Sequence, residues 1–189
     1  MLDAVPFAAT ALVLLAAPGP TNALLATAGA SAGRRALPLV ATVAAGYILA
    51  VGALLLLAGP ALANRPMMIG ALKLTAAAWL FWTALSLWRG GAKCFDINGP
   101  VRAKTVFVTT LLNPKSLVIA FGLMPPIAAG SATMIGHLAA IVALAIASGS
   151  IWIAGGAGLA RAGATPYVAK ATAVTLGMFG VFLMGSAMS

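Results

Sequence analysis

A helix breaker set inside an apolar run constrains this chain more than any other feature. Residues from Ala4 to about Ala30 are largely apolar, yet Ala16-Ala17-Pro18-Gly19-Pro20-Thr21-Asn22 sits in their middle. Proline lacks a backbone N–H and its ring clashes with the preceding turn. Glycine adds conformational freedom, so Pro18, Gly19 and Pro20 together interrupt helical hydrogen bonding. Within hydrocarbon such an interruption persists only where it is buried in protein or lines a cavity. A second break, Asn113-Pro114-Lys115, again has apolar chain on both sides. The other segments read as a scaffold that holds the two breaks together.

Hydrocarbon is the right solvent to assume. Of the 189 residues, 62% are hydrophobic and 7% charged, and the mean hydropathy is +1.09. A soluble domain carries about a quarter charged residues, so this chain cannot cover a water-facing surface. It is expected to be an all-α membrane protein. A spanning helix takes ~20 apolar residues, so the length allows about six spans in one domain, 1–189. The net charge of +9 does not signal nucleic acid, because the bases are scattered between apolar segments without aromatic interleaving. One His, one Cys and two acidic residues are too few for a metal cluster or a redox pair, so no metal and no cofactor are expected. The first charge is Asp3 rather than a basic n-region, and no small-residue site ends a short apolar run. The first segment is therefore expected to be retained.

Six segments follow. Segment one runs from about Ala4 to Ser31 and is long enough for two half-helices, the second beginning near Thr21 or Asn22, both good N-cap types. Segment two spans about Leu37 to Ala58, with Gly46 and Gly52 available for close helix approach. Segment three spans about Met67 to Trp88, carries Lys73, and ends in Trp79, Trp82, Trp88 and Arg89, an interfacial pattern. A polar connection, 90–104, divides the chain into halves of about 1–89 and 105–189. Segment four runs from about Thr105 to Ala129 and is broken at Asn113-Pro114, with Pro125-Pro126 at its far end. Segments five and six run from about Thr133 to Ala157 and from about Pro166 to Ala187.

Connections one, three and five, with the start of segment six, hold Arg34, Arg35, Arg89, Lys93, Arg102, Lys104, Arg161 and Lys170. Connection two holds only Arg65, and connection four holds no base. Basic residues concentrate in short cytoplasmic loops, so odd-numbered loops are expected in the cytoplasm and both termini outside. Each half opens with a broken helix, and three spans per half make the second half inverted. Interrupted segments at corresponding positions of inverted halves point to a transport site at their interface.

The breaks carry the candidate binding residues. Asn113 as N-cap with Pro114 at the first helical position opens a half-helix whose free N–H groups and dipole suit an anion. The alternative is a proline kink with no ligand, which spanning helices tolerate. Lys115 and Lys73 lie within spans, where a charge usually faces the protein interior or a wet cavity; the alternative is snorkelling to the nearer interface. Asn22 serves as a cap or a ligand contact, and Tyr47 offers a hydroxyl or simply packs. No acidic residue lies deep in any span, which mildly favours an anionic ligand for the lysines. A catalytic Ser–His pair is excluded: Ser148, Ser150 and His137 share one segment, and His137 and Ser148 are about three turns apart. No enzyme is expected.

These motifs carry a family resemblance over essentially the whole chain. Pro18-Gly19-Pro20-Thr21-Asn22 resembles the PGP-(x)-N signature of the LysE/RhtB amino-acid exporters, and Leu111-Leu112-Asn113-Pro114-Lys115 resembles their LLNPK signature in span four. Leu72-Lys73-Leu74 with the aromatic run to Trp88-Arg89 looks like their third span, and Gly33-Arg34-Arg35-Ala36 fits their first cytoplasmic turn. The resemblance implies a six-helix efflux carrier of the bacterial inner membrane for an amino acid or derivative. In many members an aspartate follows a glycine in span two; here Tyr47 follows Gly46, so the carboxylate best placed for a substrate ammonium or a proton is missing. Pro18, Gly19, Pro20, Asn22, Tyr47, Lys73, Asn113, Pro114 and Lys115 are the expected substrate-binding set. The expected partners are the lipid bilayer and the small-molecule substrate. Small residues on several helices permit a homodimer without demanding one. A channel and a non-transporting membrane scaffold are the alternative functions.

Overall fold

The structure, a computed structural model, describes residues 4–58, 66–89, 101–125, 130–163 and 165–188. No strand occurs among them. Helix α1 covers Ala4–Ala16 and α2 Pro20–Ala32, followed by a 3₁₀ turn, Gly33–Ala36. Helix α3, Leu39–Ala53, runs on into a π-helical stretch, Leu54–Ala58, and α4 is Pro66–Trp88. Helix α5 is Ala103–Leu111; α6 is Pro114–Val118 and continues as a π-helical stretch, Ile119–Leu123. Helix α7, Ser131–Arg161, is the longest, and α8 is Thr165–Met188. Helical elements lie on all six expected segments; in segment four the helix ends at Leu123, and the expected end near Ala129 lies outside the described residues. Asp3, the turn at 59–65, Cys94, Asp96, most of the expected dividing connection 90–104, and Pro126 lie outside the described residues.

By length and apolar composition, two described helices are able to cross a membrane, Leu39–Leu56 and Ser131–Arg161. The pair Pro6–Ala16 and Pro20–Ala36, bent by 60°, makes a third if taken as one span. The bend falls on the proline-glycine break. The second half-helix starts at Pro20, earlier than an N-cap at Thr21 or Asn22 would put it. Gly19, in extended conformation, is the N-cap, and no side chain caps it. The reason is proline: its fixed φ suits the first helical position, where the missing N–H removes no bond.

Packing pairs the halves. The most extensive helix contact is α4 on α8, followed by α2 on α7 and α3 on α5; α1 and α3 both lie against α7. The α2–α7 crossing depends on glycine. A Cβ on Gly29 would stand 2.8 Å from the Ile153 Cα and overlap its carbonyl. A Cβ on Gly156 would stand 2.9 Å from the Ala26 Cα and overlap that carbonyl. Lipid tails are as apolar as leucine, so close backbone approach between small residues is what holds such helices together. Gly46 gives α3 room against α5, where a Cβ would stand 2.9 Å from the Thr110 side chain, whereas Gly52 and Gly155 face open space. One apolar cluster runs through the centre, with Leu24, Leu25, Val51, Leu80, Val106, Ile119, Ile141 and Leu176 fully enclosed.

Candidate functional site

At the first break a run of carbonyls loses its helical partners, and three of them, Leu15, Ala16 and Ala17, are met by side chains. In a continuous helix Leu15, Ala16 and Ala17 would accept from residues 19, 20 and 21; Pro20 has no N–H, and the bend removes the others. Side chains replace them. The Asn22 amide donates to Leu15 O at 2.7 Å and to Ala17 O at 2.9 Å. The Ser148 hydroxyl donates to Leu15 O at 3.0 Å, and the Trp152 indole to Ala16 O at 3.2 Å. The Lys115 ammonium donates to Ala17 O at 2.6 Å. The carbonyls of Leu15, Ala16 and Ala17 are therefore filled, from α2, α6 and α7, as an apolar solvent demands. Asn22 serves here as a cap turned backwards, onto the end of α1 rather than the start of α2.

The second break is closed from within. Asn113 is the N-cap of α6: its side-chain oxygen accepts from the Lys115 N–H at 3.0 Å. The Ser116 N–H donates to the Asn113 carbonyl at 2.9 Å, and Pro114 has no N–H to offer. The first donors of this half-helix, expected to be free for an anion, are thus already used within the chain. With its oxygen so committed, the Asn113 amide NH₂ points to the Thr21 hydroxyl at 3.0 Å. Thr110 donates its one proton to Val106 O at 2.7 Å, so the proton in the 3.3 Å Thr21–Thr110 contact comes from Thr21. The result is a directed chain, Asn113 to Thr21 to Thr110 to the α5 backbone, joining the two breaks. Thr21, Thr110 and Asn113 are all buried.

On the other side of Asn113 lies a cavity of about 270 Å³ between α3, α4, α5, α6 and α8. Its polar lining comes from Lys73, Asn113 and Ser116. Ala50, Ala53 and Ala76 leave it room, and Leu54, Leu117 and Leu183 supply much of its apolar wall. The volume lies just under the ~300–1,000 Å³ of drug-sized ligand pockets and suits a small solute.

Of the expected site residues, Pro18, Gly19, Pro20, Asn22, Asn113, Pro114 and Lys115 come together around the meeting point of the two breaks. Asn113 and Pro114 also line the cavity, where they join Lys73. Tyr47 does neither: its ring is buried in the central cluster beside Val43 and Val51. Sequence reasoning missed Ser148 and Trp152 as partners of the first break, and Ser116 and Thr110 at the second. The signal was present for the first pair. Ser148 and Trp152 are four residues apart, on one face of a largely apolar helix, with Gly149 beside Ser148. Trp79, taken as part of an interfacial belt, has its indole N–H bonded to the buried Thr109 hydroxyl at 2.9 Å.

A family model, LysE type translocator, matches residues 12–189. No curated protein and no solved structure matches the chain. The matched span takes in both breaks, the cavity and every helix but the first turns of α1. The family is one of membrane transporters rather than enzymes, which implies a small-molecule substrate and a lipid environment for a multi-pass chain. The chain belongs to the LysE type translocator family.

Proposed function

We propose that this protein is a secondary transporter that exports a small amino acid or amino-acid derivative across the bacterial inner membrane. The observation that carries the reading is the cavity beside the second break, with a lysine, an asparagine and a serine on an otherwise apolar wall. In this reading Lys73 and the second N–H of the Asn113 amide take the carboxylate end of the solute, and the alanine and leucine wall takes its side chain. Lys115 and the first break hold the two halves in register next to it. The architecture proposed is six spans in two inverted halves. In its favour, the broken pair α1–α2 packs on α7, the broken pair α5–α6 packs on α3, and α4 packs on α8. These three pairings map onto one another when the halves are exchanged, as a pseudo-two-fold axis requires; the contact of α2 with α8 departs from it, without an equally extensive counterpart between α4 and the α5–α6 pair among the described residues. Alternating access would then be a rocking of one half against the other about this site.

The test is exchange in proteoliposomes preloaded with a panel of amino acids, with and without a pH gradient. Saturable exchange of one solute supports a carrier and names its substrate; stimulation by the gradient adds proton coupling. Flux that rises linearly with concentration, without saturation, would identify a channel instead. Absence of any flux in a folded preparation would leave the scaffold reading. Lys115→Met is expected to insert normally and to abolish exchange, because the register of the two breaks is lost.

A further inference from the structure

We propose that the carbonyl end of α1 is a seat for a small primary ammonium ion, which this chain fills with its own Lys115. The inference does not depend on which solute is carried. Helix α1 ends at the break with Leu15, Ala16 and Ala17 presenting their carbonyls, and a helix C-terminus carries the negative end of the helix dipole. In membrane transporters, half-helix C-terminal ends and unwound carbonyls are places where small cations bind. Here the cation is covalently tethered. The Lys115 Nζ lies 2.6 Å from Ala17 O, the short distance of a charge-assisted bond. The side chain is 7% exposed and arrives from 98 residues away in sequence.

The seat is shaped for it. Gly19 lies under the lysine stem: a Cβ there would come within 3.0 Å of the Lys115 Cε and 3.2 Å of its Nζ. An ammonium has three donors, and among the described residues Ala17 O is its one hydrogen-bond acceptor and no carboxylate pairs with it. A charge so deeply placed is held by backbone carbonyl and dipole rather than by a counter-ion. Asn22, Ser148 and Trp152 then act as positioning residues, because their bonds to Leu15, Ala16 and Ala17 aim the carbonyl end of α1 at the ammonium. It follows that joining the two breaks needs no inorganic ion, and that shortening Lys115 empties a site that a free amine can refill.

The test uses the purified full chain in detergent and reads thermal unfolding. Lys115→Ala is expected to melt below the wild type. Methylammonium and n-propylammonium chloride are expected to restore its midpoint saturably, half-maximal at millimolar to tens of millimolar, the strength available to a ligand of two to four heavy atoms. Tetramethylammonium chloride, which has no N–H, is expected to do nothing at the same ionic strength, and the wild type is expected to respond to none of them. An absent response to the primary amines, or an equal response to tetramethylammonium, overturns the proposal. If Lys115→Ala does not fold, Gly19→Val with Lys115 intact gives a second reading. Reductive methylation followed by mass spectrometry is expected to leave Lys115 unmodified in the wild type while exposed Lys104 and Lys170 react. In Gly19→Val, whose branched side chain takes the space of the lysine end, Lys115 is expected to react roughly tenfold to a hundredfold faster, the equivalent of one hydrogen bond to a charged group. Equal Lys115 labelling in both chains overturns the proposal.

Discussion

Asn113 is the residue whose removal should separate the two breaks most cleanly. In Asn113→Ala the Lys115 N–H loses its cap and the Thr21 hydroxyl loses the donor that orients it. Loss of an N-cap side chain costs about 0.5–2 kcal/mol. Side-chain hydrogen bonds between membrane helices average about 0.6 kcal/mol in double-mutant cycles, with a maximum near 1.7. The sum is about 2 kcal/mol, most of it local to α6 and a smaller part shared with α2. The two parts can be told apart by a cycle with Thr21→Val, which keeps the shape of Thr21 and removes its hydroxyl. Reversible unfolding of the four chains in detergent should give a coupling of about 0.6–1.7 kcal/mol. Additivity within ~0.3–0.5 kcal/mol, the value for independent sites, would refute the chain from Asn113 through Thr21 to Thr110.

Other outcomes follow from the same geometry. Gly29→Ala and Gly156→Ala each drive a methyl into backbone of the opposite helix, which no rotamer change relieves; each should destabilise by about 1–3 kcal/mol, whereas Gly155→Ala, facing open space, should be within ~0.5 kcal/mol of wild type. Ser148→Ala and Trp152→Phe each strip one donor from the end of α1 and should lower the unfolding midpoint by the equivalent of roughly 0.6–1.7 kcal/mol. Ala53→Phe places a ring in the cavity and should abolish proteoliposome exchange while unfolding at nearly the wild-type midpoint. Tyr47→Phe should leave both exchange and stability unchanged, since the Tyr47 ring packs in the central cluster and lines no part of the cavity.

The residues around the breaks show how far one sequence can be read. Pro18-Gly19-Pro20 and Asn113-Pro114 announce themselves because proline removes a donor whatever surrounds it, and the cap role of Asn113 follows from its place before a proline. Lys115 and Lys73 stand out because charge is rare in apolar chain, but the sequence does not say what they face. One reaches a carbonyl across the interface, and the other lines the cavity. Asn22 illustrates the limit. As a helix-start residue it is expected to cap forward, yet carbonyls that the break leaves without helical partners lie behind it, and the stronger local demand wins. Gly46, Gly52, Gly149, Gly155 and Gly156 look alike in sequence; which of them meets a neighbouring backbone depends on the crossing point of two helices.

What the sequence by itself determined is what local chemistry and solvent enforce: an all-helical membrane chain, interrupted at two places that hydrocarbon cannot tolerate unfilled. Each of those conclusions needs only one segment and its surroundings. The tertiary structure alone decided that the two interruptions meet, that Ser148 and Trp152 close the first of them from α7, and that a cavity opens on the far side of Asn113. Those facts depend on which helix faces lie together. In lipid, where every apolar face is equally comfortable, that choice rests on a few glycine contacts and hydrogen bonds between residues up to 149 positions apart.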